Sequence, residues 1–391
     1  MKKRIGVLVN SENDFALTNK LEEEKFIYFG FKEKIGILER LKGNYIHIKL
    51  SEYYREMAEN SFLIRIAFFV AYAEAYKCKN VILTDKVNDI RKITYNVAKY
   101  IQSIKNLVKQ GTMNNMDLSF INISEDIADK DEDVPTNRFD YGKCEILYSG
   151  GIDCTVAAYL MAKMNKKLLL VNFRYGQKNA YEEKYCCNYF KENTAKLNCE
   201  LLVEDLEGYY KDIMFSSGLL RDDLVLCEDN EVLEYVPFRN TIFFAICIWL
   251  AQYNNIGLIV SGSQGDDAVS PDNSPLYYES LQKVVELQKE TYGIKIYPVL
   301  LDIGGKPEVI KVGIELGVDF KYCWTCHSNA KWISEIPFQC GVCSDCSTRY
   351  SAFEKNGLVD PLPYCNKPRI RKKWVGPSKN LNCILRQIEN E

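Results

Sequence analysis

The stretch Cys144-Glu145-Ile146-Leu147-Tyr148-Ser149-Gly150-Gly151-Ile152-Asp153-Cys154-Thr155 decides the fold of this 391-residue chain. Cys144 to Tyr148 reads as a short strand, and Thr155 to Met164 carries apolar residues at helical spacing, so Ser149 to Cys154 is a strand-to-helix turn. Two glycines let backbone approach a ligand closely. The helix amino terminus beyond them presents free N–H groups with partial positive charge, and Ser149 adds a hydroxyl, which together make a phosphate cradle. The same residues also fit a plain tight turn with Asp153 as its cap. The Gly-Lys-Ser/Thr ending of a Walker A loop is absent, so transfer of a γ-phosphoryl group is not implied.

Working outward, strand Lys167 to Phe173, helix Ala180 to Glu192, strand Glu200 to Val203, helix Asn240 to Gln252 and strand Ile256 to Ser261 follow the loop. This alternation predicts parallel pairing through right-handed crossovers, with ligands beyond the carboxyl ends of the strands. Upstream, Ile5 to Val9, Ile46 to Leu50, Val81 to Thr84 and Leu118 to Ile123 read as strands, and Ser61 to Tyr76 and Ile90 to Val108 as helices. An acidic, core-poor stretch from Ser124 to Arg138 separates the two series. The expected fold class is therefore α/β: an amino-terminal α/β domain over 1–125, a linker over 126–139, a second α/β domain over 140–355 and a basic tail over 356–391. At roughly 150 residues per domain the length agrees. There is no internal repeat or low-complexity tract.

Apolar residues make up 47% of the chain and the net charge is −3, which excludes disordered and fibrous classes and a nucleic-acid glove over the whole surface. The longest apolar run, Ile242 to Ala251, is ten residues, about half of the ~20 that a membrane span needs. Met1-Lys-Lys-Arg-Ile-Gly-Val-Leu-Val-Asn reads as a first strand rather than a signal peptide, and the expected location is the cytoplasm. The run Lys367-Pro-Arg-Ile-Arg-Lys-Lys373 with Trp374 is a candidate phosphate grip for an RNA-modifying enzyme or, more simply, a solvated tail.

Fifteen cysteines in a chain of this length point to a metal rather than a disulfide framework, since they are partly clustered. Cys340-x-x-Cys343-x-x-Cys346 lies fourteen residues beyond Cys326, which gives four thiols for one tetrahedral zinc. Tyr350 stands where a ferredoxin-type run would have its next cysteine, so iron–sulfur is the minor alternative. Cys323 and His327 are near enough in sequence to compete. With no position left for water, the metal is expected to staple the carboxyl end. Cys78, Cys199 and Cys247, inside apolar segments, are read as free thiols in the core.

Ser149-Gly-Gly-Ile-Asp-Cys154 resembles the Ser-Gly-Gly-x-Asp-Ser pyrophosphate loop of the N-type ATP pyrophosphatases, the PP-loop enzymes of adenine nucleotide alpha hydrolase-like, Rossmann-like fold. Phe173-Arg-Tyr-Gly-Gln177, Val236-Pro-Phe-Arg-Asn240, Pro271-Asp272, Gly305-Lys306-Pro-Glu308 with Gly313 to Gly317, and Trp324-Thr-Cys326 with the cysteine triplet narrow the resemblance to the 7-cyano-7-deazaguanine synthase (QueC) family, over about 140 to 355. The resemblance implies that ATP adenylates the carboxylate of 7-carboxy-7-deazaguanine with release of pyrophosphate, after which an amine displaces AMP. It implies catalytic roles for Ser149, Asp153, Arg239 and Lys306. ATP contacts fall on Ser149, Gly150, Gly151, Asp153, Cys154, Gln177, Arg239, Asn240, Asp272 and Lys306. Mg²⁺ is expected at the phosphates and zinc at Cys326, Cys340, Cys343 and Cys346.

Departures from the family pattern fall on Arg174, Cys154, Asn179, Ser270 and Ser274. Together with the added amino-terminal domain they suggest a changed acceptor. The resemblance extends to QueC-like conjugating members of antiphage (CBASS type IV-like) operons, in which the acceptor is a protein amine and the extra domain meets the protein partner. The alternatives are a nitrile synthase that uses ammonia and a non-catalytic ATP-binding scaffold, either of which leaves oligomerisation open.

Overall fold

The structure, a computed structural model, describes residues 4–9, 25–31, 45–123, 133–193, 197–221, 234–328, 330–333, 336–371 and 374. Among them no helix is long and apolar enough to cross a membrane. The chain divides into two compact units, and the division is not contiguous: Pro237–Asn254 and Pro271–Ile294 belong with Met1–Phe139, and the remainder forms the second unit.

The first unit holds a five-stranded sheet of β1 (Arg4–Leu8), β2 (Lys25–Gly30), β3 (Tyr45–His47), β4 (Asn80–Leu83) and β5 (Asp117–Phe120), parallel throughout in the order β3-β2-β1-β4-β5. Strand β2 was not expected from the sequence. The expected helix Ile90 to Val108 is two helices, Val87–Ile93 and Val97–Gly111. Between them Thr94 bridges to Gln288 and donates its hydroxyl to the Leu287 carbonyl, and Asn96 accepts the Lys99 N–H at 3.0 Å as a cap. Local side-chain bonding of this kind competes with helix.

Helix Phe62–Ala75 is buried on almost every side and packs against Arg239–Asn254, which is apolar all round. A helix with no polar face must be covered on all sides, and this draws Arg239–Asn254 out of its neighbours in sequence. Pro275–Leu287 packs likewise on Val97–Gly111, where a Cβ at Gly111 would lie 2.6 Å from the Phe238 ring. A split of the chain at 126–139 therefore misses two helices of the first unit. Residues 126–132, half of that linker, lie outside the described residues.

The second unit has β6 (Asp140–Leu147), β7 (Lys167–Arg174), β8 (Cys199–Asp205), β9 (Ile256–Gln264) and β10 (Lys295–Leu300), parallel in the order β10-β9-β6-β7-β8. This is the α/β sheet that the alternation predicts. Helices Ile152–Lys163 and Lys306–Leu316 bury Val156, Leu160, Val309 and Ile310 in one core, each worth about 1.5 to 3 kcal/mol of apolar burial. Strand β9 passes so near the first of these helices that a Cβ at Gly262 would lie 2.6 Å from the Cys154 nitrogen. Strands β6 and β9 are parallel neighbours from which the crossovers run opposite ways, so the loops after both lie side by side.

The segment after 356 is not a free tail. Asp360 pairs with Arg349, the Asn366 amide donates to the Cys340 carbonyl at 2.9 Å, and Arg371 donates to the Thr348 hydroxyl at 2.9 Å. Trp374 packs at the edge of the second unit's core with Lys355 and Arg371 over its ring. Lys372, Lys373 and residues 375–391 lie outside the described residues.

Candidate active site and metal centre

Ser149, Gly150 and Gly151 follow β6, and Gly151 caps the helix Ile152–Lys163 without a side-chain bond. Gly150 has φ +79°, and a Cβ there would meet Cys186 Cβ at 2.7 Å, so two independent constraints require glycine. Ser149 is exposed at the lip of the loop, with its hydroxyl accepting the Gly151 N–H at 3.4 Å. Cys154 is buried, and its thiol donates to the Gly151 carbonyl at 3.4 Å. Its sulfur also lies 3.5 Å from the Ser149 hydroxyl.

A second helix amino terminus meets the first. Lys306 opens Lys306–Leu316 directly after Gly305, and its ammonium forms an ion pair with Asp153 in the first turn of the other helix. The Lys306 side chain is 5% exposed and that of Asp153 22%. The Lys306 N–H donates to Asp266 at 3.1 Å, and a Cβ at Gly305 would strike that carboxylate at 2.5 Å. Asp266 and Asp267 begin the turn after β9, where Gln264 and Asp267 cap one another.

Burial by itself would lower the Lys306 pKa, but Asp153, Asp267 and Asp345 hold it above the ordinary lysine value. Burial, reinforced by Asp153 and opposed by Lys306, pushes the Asp267 carboxyl up to about 7. Asp153 Oδ1 is buried with no hydrogen-bond partner. One lysine among several carboxylates, one oxygen unused, suits a site that takes a polyphosphate with a divalent cation.

Gln177 is spent within the protein: its carbonyl accepts the Tyr175 N–H at 2.8 Å, and its amide donates to the Phe173 carbonyl at 3.1 Å and to Glu183 at 2.7 Å. It shapes the turn after β7. Arg239, Asn240 and Asp272 gather in the first unit. The Asn240 N–H donates to the Asp272 carboxylate at 3.2 Å, its amide to the Asp272 carbonyl at 3.3 Å, and the Arg239 Nε to the Asn240 side chain at 3.2 Å. Two of the departing residues have structural duties. Ser274 caps Pro275–Leu287 by accepting the Tyr277 N–H at 3.2 Å, and Asn179 donates to the Cys326 carbonyl at 3.1 Å.

The four sulfurs of Cys326, Cys340, Cys343 and Cys346 lie within 4.8 Å of one another, with Cys340 and Cys346 at 3.7 Å. A tetrahedral ion with metal–sulfur bonds of ~2.3 Å sets its ligands about 3.8 Å apart. An iron–sulfur cluster, whose own atoms stand between the thiolates, needs a wider spread. Backbone N–H groups of Ser328 and Cys340 point at Cys326 Sγ, that of Gly341 at Cys346 Sγ and that of Cys343 at Cys340 Sγ, all at 3.4 Å. Such bonds favour thiolates. The donor set therefore fits a single ion. Cys323 is outside it, buried, with burial pushing its thiol up to about 12. His327 is outside it too, paired with Asp345 and 3.6 Å from Glu234.

The metal segment holds the loop. The Trp324 N–H donates to the Gly150 carbonyl at 3.0 Å, two residues before Cys326. Arg349, fully buried, clasps Asp360 with two bonds of 2.8 and 2.9 Å and donates to the carbonyls of Cys323 and Phe320. Sequence reasoning missed Arg349, Asp266, Asp267 and Asp345. Only the acidic pair left a signal, since it stands five residues beyond the expected strand end at Ser261.

The family model described as "Queuosine biosynthesis protein QueC" matches residues 143–357. The 7-cyano-7-deazaguanine synthase of Rickettsia bellii is 30% identical over 231 residues, 57% of this chain and 98% of that protein. That of Methanoculleus marisnigri is 28% identical over 224 residues, with the same coverage. Among solved structures, the U34-tRNA thiolase NcsA from Methanococcus maripaludis with its 4Fe-4S cluster aligns with 56% of this chain and 65% of its own at 16% identity and a TM-score of 0.32.

Proposed function

The chain belongs to the QueC family, and from that premise we propose that it adenylates the carboxylate of 7-carboxy-7-deazaguanine with ATP, releases pyrophosphate and passes the activated acyl group to an amine. The observation that carries this is the meeting of two helix amino termini at the Asp153–Lys306 pair beneath Ser149-Gly150-Gly151. A carboxylate has no good leaving group. Adenylation supplies one, and the departing pyrophosphate gathers negative charge that loop N–H groups, the Ser149 hydroxyl and the Lys306 ammonium are proposed to stabilise.

Asp153 with its unused oxygen, and Asp266 and Asp267 beside it, are the residues proposed to hold Mg²⁺, which neutralises phosphate charge when bound. Zinc at Cys326, Cys340, Cys343 and Cys346 is proposed as structural, fixing the Trp324–Gly150 contact and so the loop. Arg239 is proposed to hold a phosphate or carboxylate.

For the acceptor we propose a protein amine, presented through the first unit, as in antiphage conjugation. What supports it is Arg174, a charge reversal at the end of β7, and the 142 residues that precede the family match. Ser274 and Asn179 no longer contribute, because their structural bonds account for them. The test is incubation of the protein with ATP, the deazaguanine acid and cell lysate. AMP and pyrophosphate with a mass-shifted lysate protein are expected. ADP as the product would overturn the adenylation, and conversion of acid and ammonium to the nitrile without any conjugate would replace the protein acceptor by ammonia.

A further inference from the structure

The first unit has the strand order of the second without its sequence. In each, the first strand of five lies between the second and the fourth: β1 between β2 and β4, β6 between β7 and β9. A parallel sheet of this order opens a crevice beyond the carboxyl ends of the two strands from which the crossovers run opposite ways. In the second unit the loops at that place carry Ser149 and Asp266. In the first there is a cavity of about 620 Å³, within the ~300 to 1,000 Å³ of small-molecule sites.

Its floor is made where the strands end. Val9 follows β1, Phe31 follows β2, and Thr84 and Asp85 follow β4. Asp85 is buried in an ion pair with Arg65, whose Nε is buried without a hydrogen-bond partner. Arg65 also lies over the Phe62 ring, 5.2 Å from its centre. Arg55 and Lys86, both exposed, outnumber the exposed carboxylate of Glu59 on the walls, and Lys92, also lining the cavity, is paired with Asp89 at 3.1 Å.

We infer that this crevice of the first unit is a second ligand site, separate from the phosphate loop, and that it takes a phosphorylated, ring-bearing metabolite of nucleoside monophosphate size. Phe31 offers an apolar wall to a ring, Asp85 an acceptor for its N–H or hydroxyl groups, and Arg55, Arg65 and Lys86 charge-assisted bonds to phosphate. None of these residues falls within the family match.

The test is calorimetric titration of the full chain with AMP, GMP and inorganic phosphate. At least one nucleotide should bind saturably below millimolar concentration. The exposed pair of changes Arg55→Glu and Lys86→Glu should weaken it tenfold or more, leaving AMP formation from ATP unchanged. Lys306→Met should leave the binding intact, and hydrogen exchange at 62–65 and 83–86 should slow on addition. If the reversed charges lower the thermal midpoint, Arg55→Gln with Lys86→Gln repeats the measurement. Three results would overturn the inference: no saturable binding, binding lost with Lys306→Met but kept in both Arg55/Lys86 variants, or phosphate bound as tightly as any nucleotide.

Discussion

Lys306 and Asp153, 153 residues apart in sequence, stand in the first turns of two different helices and meet as an ion pair. Asp153 is favoured by the dipole of its helix, whereas Lys306 is placed against its own and is kept there by carboxylates. In the proposed reaction this cation meets the polyphosphate, and a divalent ion would offset the charge of the neighbouring aspartates.

Lys306→Met should lower pyrophosphate release about ten- to hundredfold, the range of one or two charge-assisted contacts of ~1.5 to 3 kcal/mol. It should also lower the thermal midpoint, since it leaves buried carboxylates without their cation, whereas Lys306→Arg should recover stability before activity. Equal activity in Lys306→Met and wild type, by coupled pyrophosphate assay, would remove the lysine from the mechanism.

Asp267 makes the metal-free protein sensitive to pH. Its folded pKa of about 7 lies above the ordinary 3.8, so its contribution is fully present below 3.8 and is lost as pH rises through 7. Denaturant midpoints should fall over that window, Asp267→Asn should flatten the fall, and Mg²⁺ with pyrophosphate should oppose it. A midpoint that rises over the same window in wild type but not in Asp267→Asn would contradict the assignment.

Gly150→Ala should abolish AMP formation while Ser149→Ala only reduces it, because the alanine must take φ +79° and meet Cys186. Pairing Gly150→Ala with Cys186→Gly relieves the clash but not the dihedral. Activity should recover at most partly, by initial-rate measurement.

One zinc per chain is expected by elemental analysis. Serine at Cys326, Cys340, Cys343 or Cys346 should lower zinc content and thermal midpoint together, while Cys323→Ser keeps the metal. Because Trp324 ties this segment to Gly150, chelation should slow pyrophosphate release as well.

Removal of residues 1–125 should yield aggregated protein rather than a minimal catalytic domain. It strips Phe62–Ala75 from Arg239–Asn254, which has no polar face to turn outward, and Val97–Gly111 from the apolar face of Pro275–Leu287. Size-exclusion chromatography decides it: a monodisperse truncated protein that forms AMP would show those helices to be independent of the first unit.

The strand-loop-helix at Ser149, the parallel alternation around it and the four thiols were legible because each depends on residues close together in the chain: spacing fixes period, glycine fixes the turn, and Cys-x-x-Cys-x-x-Cys brings ligands together within one turn of backbone. The sequence by itself determined the α/β class, the strand-loop-helix at Ser149 and the grouping of four thiols that could hold a metal. Contacts far apart in the chain were decided only by the tertiary structure. Arg239–Asn254 joined the first unit because a helix apolar on all sides takes whichever partner covers it. Ser274 became a helix cap and Asn179 a donor to the Cys326 carbonyl because their partners lie where the fold puts them. Asp153, Asp267 and Lys306 shift one another's titration on top of burial, since desolvation and Coulomb interaction depend on distance in space and leave no trace in spacing along the chain.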